Sequence, residues 1–166
     1  MSQEESQGGY SVKPFYDKLN LVFNAILALP LLAFVWLYLE SNAGRLLPIL
    51  DNSAAETLNF IIPIIVFGVI FASFYLFRIR ISKIDRSIDL EPKLNAYFVV
   101  CVVMYAMLES ALVISLIGYY LTLANVFIGM FVIVLVFFSL HKPTPYRIVK
   151  NLQLEGEERD QMMQKR

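Results

Sequence analysis

Apolar residues run along this chain in long blocks rather than in alternation. The first block spans Leu19–Leu39, the second Leu58–Phe77, and the third continues from Asn95 to Leu140. Blocks of about 20 residues match the helical length needed to cross a hydrocarbon core of about 30 Å. The third block has 46 residues, and as one helix it would reach about 70 Å. It must double back. The turn is expected within Gly118–Asn125, which holds a glycine, the Tyr119–Tyr120 pair and Asn125. The pattern predicts an all-α, polytopic membrane fold with four transmembrane helices at about 19–39, 58–77, 95–118 and 122–140. Residues 1–18 read as a polar, loose N-terminal arm, 19–140 as the membrane domain, and 141–166 as a tail.

Local residues refine the spans. Pro30 sits mid-way through the first and is expected to kink it, since its ring removes one hydrogen bond and crowds the carbonyl of Ile26. Pro63 falls near the start of the second, where a missing amide matters least. Gly68 and Ala72 form a small-xxx-small step suited to close helix packing, within the chain in preference to a dimer contact. Residues 40–56 read as a loop whose apolar patch, Leu46–Leu50, dips toward the membrane interface. The first span is expected to be retained and not cleaved as a leader. Glu4, Glu5 and Asp17 precede it, and its apolar run exceeds the usual 7–15 residues of such segments.

The tail carries its own pattern. Pro143 stops the fourth helix, and Thr144 with Pro145 make an N-cap and first position for another. Ile148, Val149 and Leu152 share one face, opposite Arg147, Lys150 and Asn151. This predicts a short amphipathic helix with its apolar side on lipid and its basic side on headgroups; a docking handle for a partner is the alternative. The last ten residues or so are expected to fray.

Charge fixes an orientation. Thirteen of the fourteen Lys and Arg residues fall in the arm, the 78–94 loop and the tail, with Arg45 alone on the other side. The positive-inside rule puts both termini in the cytoplasm, here of a bacterial inner membrane. The overall balance is neutral, so no basic excess points to nucleic acid. Hydrophobic residues make up 58% of the chain, above the roughly 45–50% of soluble domains. One cysteine, Cys101, and one histidine, His141, preclude an internal disulfide and a Cys/His metal site. The glycines make no phosphate loop. No catalytic residue, metal or cofactor is expected.

One residue stands against the apolar background. Glu109 is the only charged side chain between Lys93 and Lys142. A charged acid at mid-membrane costs about 2.5–3.5 kcal/mol on insertion scales, and desolvation favours its protonated form. Tyr105, one turn earlier, and adjacent Ser110 are candidate hydrogen-bond partners on its own helix, with Asn24, Ser73 and Asn125 from the others. Three readings follow: a hydrogen-bonded strut between helices, a proton or cation relay, or a site for lipid, quinone or a partner helix.

The stretch 91–125, "EPKLNAYFVVCVVMYAMLESALVISLIGYYLTLAN", resembles the carboxylate-bearing helix of the c subunit, or proteolipid, of rotary ATP synthases. The resemblance implies that Arg86, Glu91 and Pro92 stand for the polar loop and Glu109 for the ion-binding acid. It departs from the family in the preceding helix, which holds only Gly68 where the proteolipid is glycine-rich, and in having the 40–56 loop and a charged tail. The whole layout, with a polar arm, four spans, an acid in the third and a Pro-Thr tail, is similar to small uncharacterised bacterial four-helix membrane proteins. That second likeness implies architecture without an activity.

These observations converge on a small non-enzymatic membrane protein, a subunit or assembly partner in a complex or homo-oligomer, embedded in lipid. The alternative is a proton- or cation-translocating component using Glu109. The charge bias makes the topology testable: alkaline phosphatase fused after Arg166 is expected to be inactive and a fluorescent protein fused there bright, whereas active phosphatase would reverse the orientation.

Overall fold

The computed structural model describes residues 12–163, so the first eleven residues of the expected arm and the last three of the tail lie outside the described residues. Six helices follow in order: α1 (Val12–Asn42), α2 (Asn52–Ser82), α3 (Leu90–Thr122), α4 (Asn125–Leu140), α5 (Pro145–Leu152) and α6 (Gly156–Met163). Helices α1, α2 and α3 are each long and apolar enough to cross a membrane. Helix α4 qualifies only jointly with α5, from which it is bent by 76°. The architecture is all-helical and consistent with a membrane protein of three such helices, or four if the bent pair counts as one.

The three long helices have 31, 31 and 33 residues, or about 45–50 Å each, well beyond the apolar runs alone. The extensions correct several expectations. Helix α1 begins within the arm, at Val12, because Val12, Phe15 and Leu19 bury one stripe against the bundle. Residues 52–56 belong to α2, whose N-cap Asp51 accepts a hydrogen bond from Ala54 N at 3.1 Å. The remaining outer loop is tied to the end of α3 by Ile49 N and Leu50 N, which donate to Leu121 O at 3.0 and 3.3 Å.

Helix α3 is the axis of the structure. It packs against α1, α2 and α4, and buries sixteen residues from Leu90 to Thr122 that recur every three or four positions along one broad face. Aromatic rings lock the flanking helices to it. Phe23 of α1 meets Tyr105 of α3 and Phe138 of α4 at centroid distances of 5.2 and 5.0 Å. Phe34 stacks on Phe131 at 4.4 Å. The α3–α4 connection is only Leu123 and Ala124: Leu123 takes a left-handed φ of 53°, its N–H donates to Tyr119 O, and Thr122 Oγ1 accepts from Ala124 N. Helix α1 continues through Pro30, which is buried.

Close packing occurs at a different glycine from the one the small-xxx-small step marked. Gly68 is exposed and a Cβ there would meet nothing within 4 Å, since α2 turns Ile62, Val66, Ile70 and Ser73 inward instead. Ala72 is half-buried. At Gly118 a Cβ would lie 2.7 Å from two ring carbons of the fully buried Phe127. The hairpin closes there.

The tail is also more ordered than a frayed end. Met162 of α6 is buried, and Lys93, only 4% exposed, donates to both carboxylate oxygens of Glu158 at 2.8 Å. Arg86 donates to Gln153 beside it. Helix α5 buries Ile148 and Leu152 in the protein core, with Val149 half-buried, so its apolar face covers the bundle and not lipid.

A pair of substitutions tests the hairpin packing. Gly118→Ala gains about 1 kcal/mol of helix propensity but overpacks Phe127, a cost of about 1–3 kcal/mol, so a net loss of stability is expected. Gly68→Ala gains propensity with no clash and is expected to be neutral or stabilising; thermal unfolding in detergent followed by circular dichroism compares the two.

Candidate functional site

Among the described residues the Glu109 carboxyl, Arg147 Nη1 and the buried Asn59 Oδ1 of α2 lack hydrogen-bond partners, and the first two have a cavity or groove nearby. The first place is Glu109, which is half-buried on α3, with Leu108 and Leu112 facing inward beside it and Ala106, Ser110 and Val113 facing outward. Among the described residues its carboxyl makes no hydrogen bond or ion pair. None of the expected partners reaches it. Tyr105 is buried and donates to His141 O at 3.1 Å. Ser110 and Ser73 donate back to their own helices, to Met107 O and Ile70 O, both at 2.7 Å, the usual refuge of a hydroxyl in an apolar helix. Asn24 and Asn125 are exposed.

A shallow apolar groove begins one turn beyond Glu109 on α3. Val113, Leu116, Ile117 and Tyr120 of α3 form one side of it and Ala33, Trp36 and Leu37 of α1 the other. Positions 109, 113, 116 and 120 recur at helical spacing, so the acid and the groove share one face of α3.

The second place lies at the end of the bundle where α4 stops. Helix α4 has 16 residues against 33 in α3, so it runs beside only the second half of its neighbour. The chain then bends and α5 crosses over the first half. Thr144 caps α5 by accepting from Arg147 N at 3.3 Å, and Pro145 occupies its first turn. A cavity of about 210 Å³ remains between α5, α3 and the end of α2. Its polar lining is Tyr97, Cys101 and Tyr105 from α3, His141 past the end of α4, and Arg147 and Asn151 from α5; Phe77 and Met104 add an apolar wall.

The hydrogen bonds around this cavity are specific. Asn151 Nδ2 donates to Tyr97 Oη at 3.2 Å. The Tyr105 hydroxyl is spent on His141 O, and His141 Nδ1 lies 2.8 Å from Phe137 O. Phe74 stacks obliquely on the imidazole at 4.4 Å. Arg147 is the exception: among the described residues its buried Nη1 has no hydrogen-bond partner and it joins no salt bridge. Arg147 and Asn151 therefore turn toward the protein interior, whereas Lys150 faces outward as the amphipathic pattern implied. Tyr97, Cys101, Phe77, Met104 and His141 were not singled out from the sequence as site residues, although the i, i+4, i+8 spacing of Tyr97, Cys101 and Tyr105 sets them on one α3 face.

Among the described residues no group of three or more His, Cys, Asp or Glu side chains could hold a metal ion. No known family, curated protein or solved structure matches this chain.

Burial holds the His141 imidazole below the ordinary histidine range and nearby Arg147 pushes the same way, while the Phe137 carbonyl opposes them. The groups facing it are Arg147, Tyr105, Tyr97 and Cys101. A histidine lowered on folding binds its proton more readily in the unfolded chain, so its contribution to stability is present above about pH 6.5. That contribution is lost as pH falls through the folded value. Unfolding temperature in neutral detergent is expected to drop between pH 7 and 5.5, and His141→Asn to flatten the drop.

Proposed function

We propose that this chain is a non-enzymatic integral membrane protein of a bacterial cytoplasmic membrane, with four spans counting the bent α4–α5 pair and both termini inside. In this reading it acts as a subunit or assembly partner, and Glu109 is part of the contact. The supporting observation is the carboxyl itself: it is half-buried in a long apolar helix, has no partner among the described residues, and lies one turn before the groove between α1 and α3. An acid in hydrocarbon gains most from a hydrogen-bond donor on another helix.

The occupant favoured by the geometry is a second copy. Phe23 packs on Tyr105, so the neighbouring Asn24 lies within about one helical turn of the depth of Glu109. Asn24 is exposed. Two copies share the same depth in a bilayer, so Asn24 of one can face Glu109 of the other. An unpaired, half-exposed acid also suits the alternative reading, a proton- or cation-carrying component, as in the proteolipid likeness of 91–125.

Purification from native membranes in mild detergent is expected to yield an oligomer or complex; a protein found alone and monomeric would overturn the subunit reading. Intermembrane-helix hydrogen bonds are worth about 0.6–2 kcal/mol, so Glu109→Leu or Asn24→Leu is expected to weaken self-association about 3- to 30-fold. Glu109→Gln keeps hydrogen bonding and is expected to retain assembly. Normal assembly of Glu109→Gln with loss of ion-coupled activity would favour the relay instead.

A further inference from the structure

The cavity beneath α5 pairs a cation with no counter-ion. Arg147 keeps its charge at any physiological pH, yet its buried Nη1 has no hydrogen-bond partner and no carboxylate lines the cavity around it. The other free polar valences are mostly donors. Asn151 donates one N–H to Tyr97 Oη, which leaves its second N–H unassigned, and the Tyr97 hydroxyl has only the weak acceptor Cys101 Sγ beside it. The Tyr105 hydroxyl and His141 Nδ1 are already committed to backbone carbonyls, which leaves His141 Nε2 as the remaining ring nitrogen. A volume of about 210 Å³ holds several waters at about 30 Å³ each, or a compact anion in their place, but is smaller than the pockets of about 300–1,000 Å³ that enclose drug-sized ligands.

We propose that this cavity binds a phosphate group, held by the Arg147 guanidinium with Asn151 and Tyr97 as supporting donors. A guanidinium fork matches the spacing of phosphate oxygens and gains most where water is partly excluded. Position selects phosphate over other anions. The cavity lies where the apolar run of α4 ends and the basic segments 78–94 and 141–159 gather, the level at which a bilayer places its phosphate layer. Phe77 and Met104 give a headgroup's glycerol and first methylenes an apolar wall. The same phosphate could belong to a phospholipid or to a soluble phosphate ester. This site shares no residue with the Glu109 face and stands or falls independently of it.

His141 is the only histidine in the chain and lines the cavity, so its imidazole signals report on this site alone. The full chain in neutral maltoside detergent is titrated in separate arms with inorganic phosphate and with short-chain phosphatidylglycerol, with the Trp36 indole signal as a remote control. A saturable shift of the His141 signals without movement of Trp36 is expected. Saturation by the lipid alone identifies a headgroup site, and saturation by inorganic phosphate as well identifies a site for soluble phosphates. Arg147→Gln is expected to weaken binding at least about tenfold, because a charge-assisted pair is lost, while Lys150→Gln on the outward face leaves it nearly unchanged. If Arg147→Gln fails to fold, Arg147→Lys keeps the charge but loses the fork, and a several-fold weakening is expected. No His141 shift in either arm, or unaltered binding by the foldable Arg147 variant, would overturn the proposal.

Discussion

The length difference between α3 and α4 governs much of what surrounds them. Thirty-three residues of α3 stand beside sixteen of α4, so about 25 Å of the longer helix has no antiparallel neighbour from that side. An apolar helix cannot leave such a length bare at the polar end of a bundle. The chain answers by bending at 76° and laying α5, then α6, over the gap. Ile148, Leu152, Leu154 and Met162 are all buried as a result. Helix α5 is a poor space-filler for that gap because it crosses instead of running parallel, and the cavity is the volume it fails to fill.

Two kinds of contact hold this arrangement. Toward the α3–α4 turn the contacts are aromatic and close: Gly118 admits Phe127, and Phe34 stacks on Phe131. Toward the termini they are polar and directional: Lys93 with Glu158, Asn151 with Tyr97, Tyr105 with His141. A buried lysine is tolerated only while its partner is present, since desolvation without compensation is expensive. The α6 contact thus rests on one ion pair and the buried Met162, whereas the hairpin depends on shape. Local opening should begin at the polar end, where the cavity also lies.

The helical blocks were legible because uninterrupted apolar runs leave few alternatives. The doubled-back third block followed from length alone, and the turn at Leu123–Ala124 falls inside the window that Gly118–Asn125 marked out. Helix ends were less legible: Phe15 and Leu19 anchor residues whose own composition is polar, and Asp51 starts α2 before its apolar run begins. The tail misled for a related reason. Its amphipathic pattern picked the buried Ile148 and Leu152 and the exposed Lys150, but Arg147 and Asn151 turn inward as well, and such a pattern does not say whether the apolar face meets lipid or protein. The polar partners of Glu109 were misjudged because depth was inferred from sequence position, while hydroxyls in apolar helices bond to their own backbone first. The cavity was illegible altogether, since it joins residues 77, 97–105 and 141–151 through the bend between α4 and α5.

Glu109 and Arg147 make a telling contrast. One is an acid and the other a base, both lie in apolar surroundings, and Tyr105, one turn from Glu109, also lines the cavity that Arg147 enters. A pairing between them would seem an obvious economy. The fold does not make it: Glu109 lies on the edge of α3 that leads into the α1 groove, while Arg147 approaches the face covered by α5. A pair buried inside one chain would offset two desolvation costs with one attraction and leave no valence for anything else. Keeping them on separate faces leaves both groups without a partner among the described residues. In both proposals the missing bond comes from outside the chain, which the well-packed core has no room to accept.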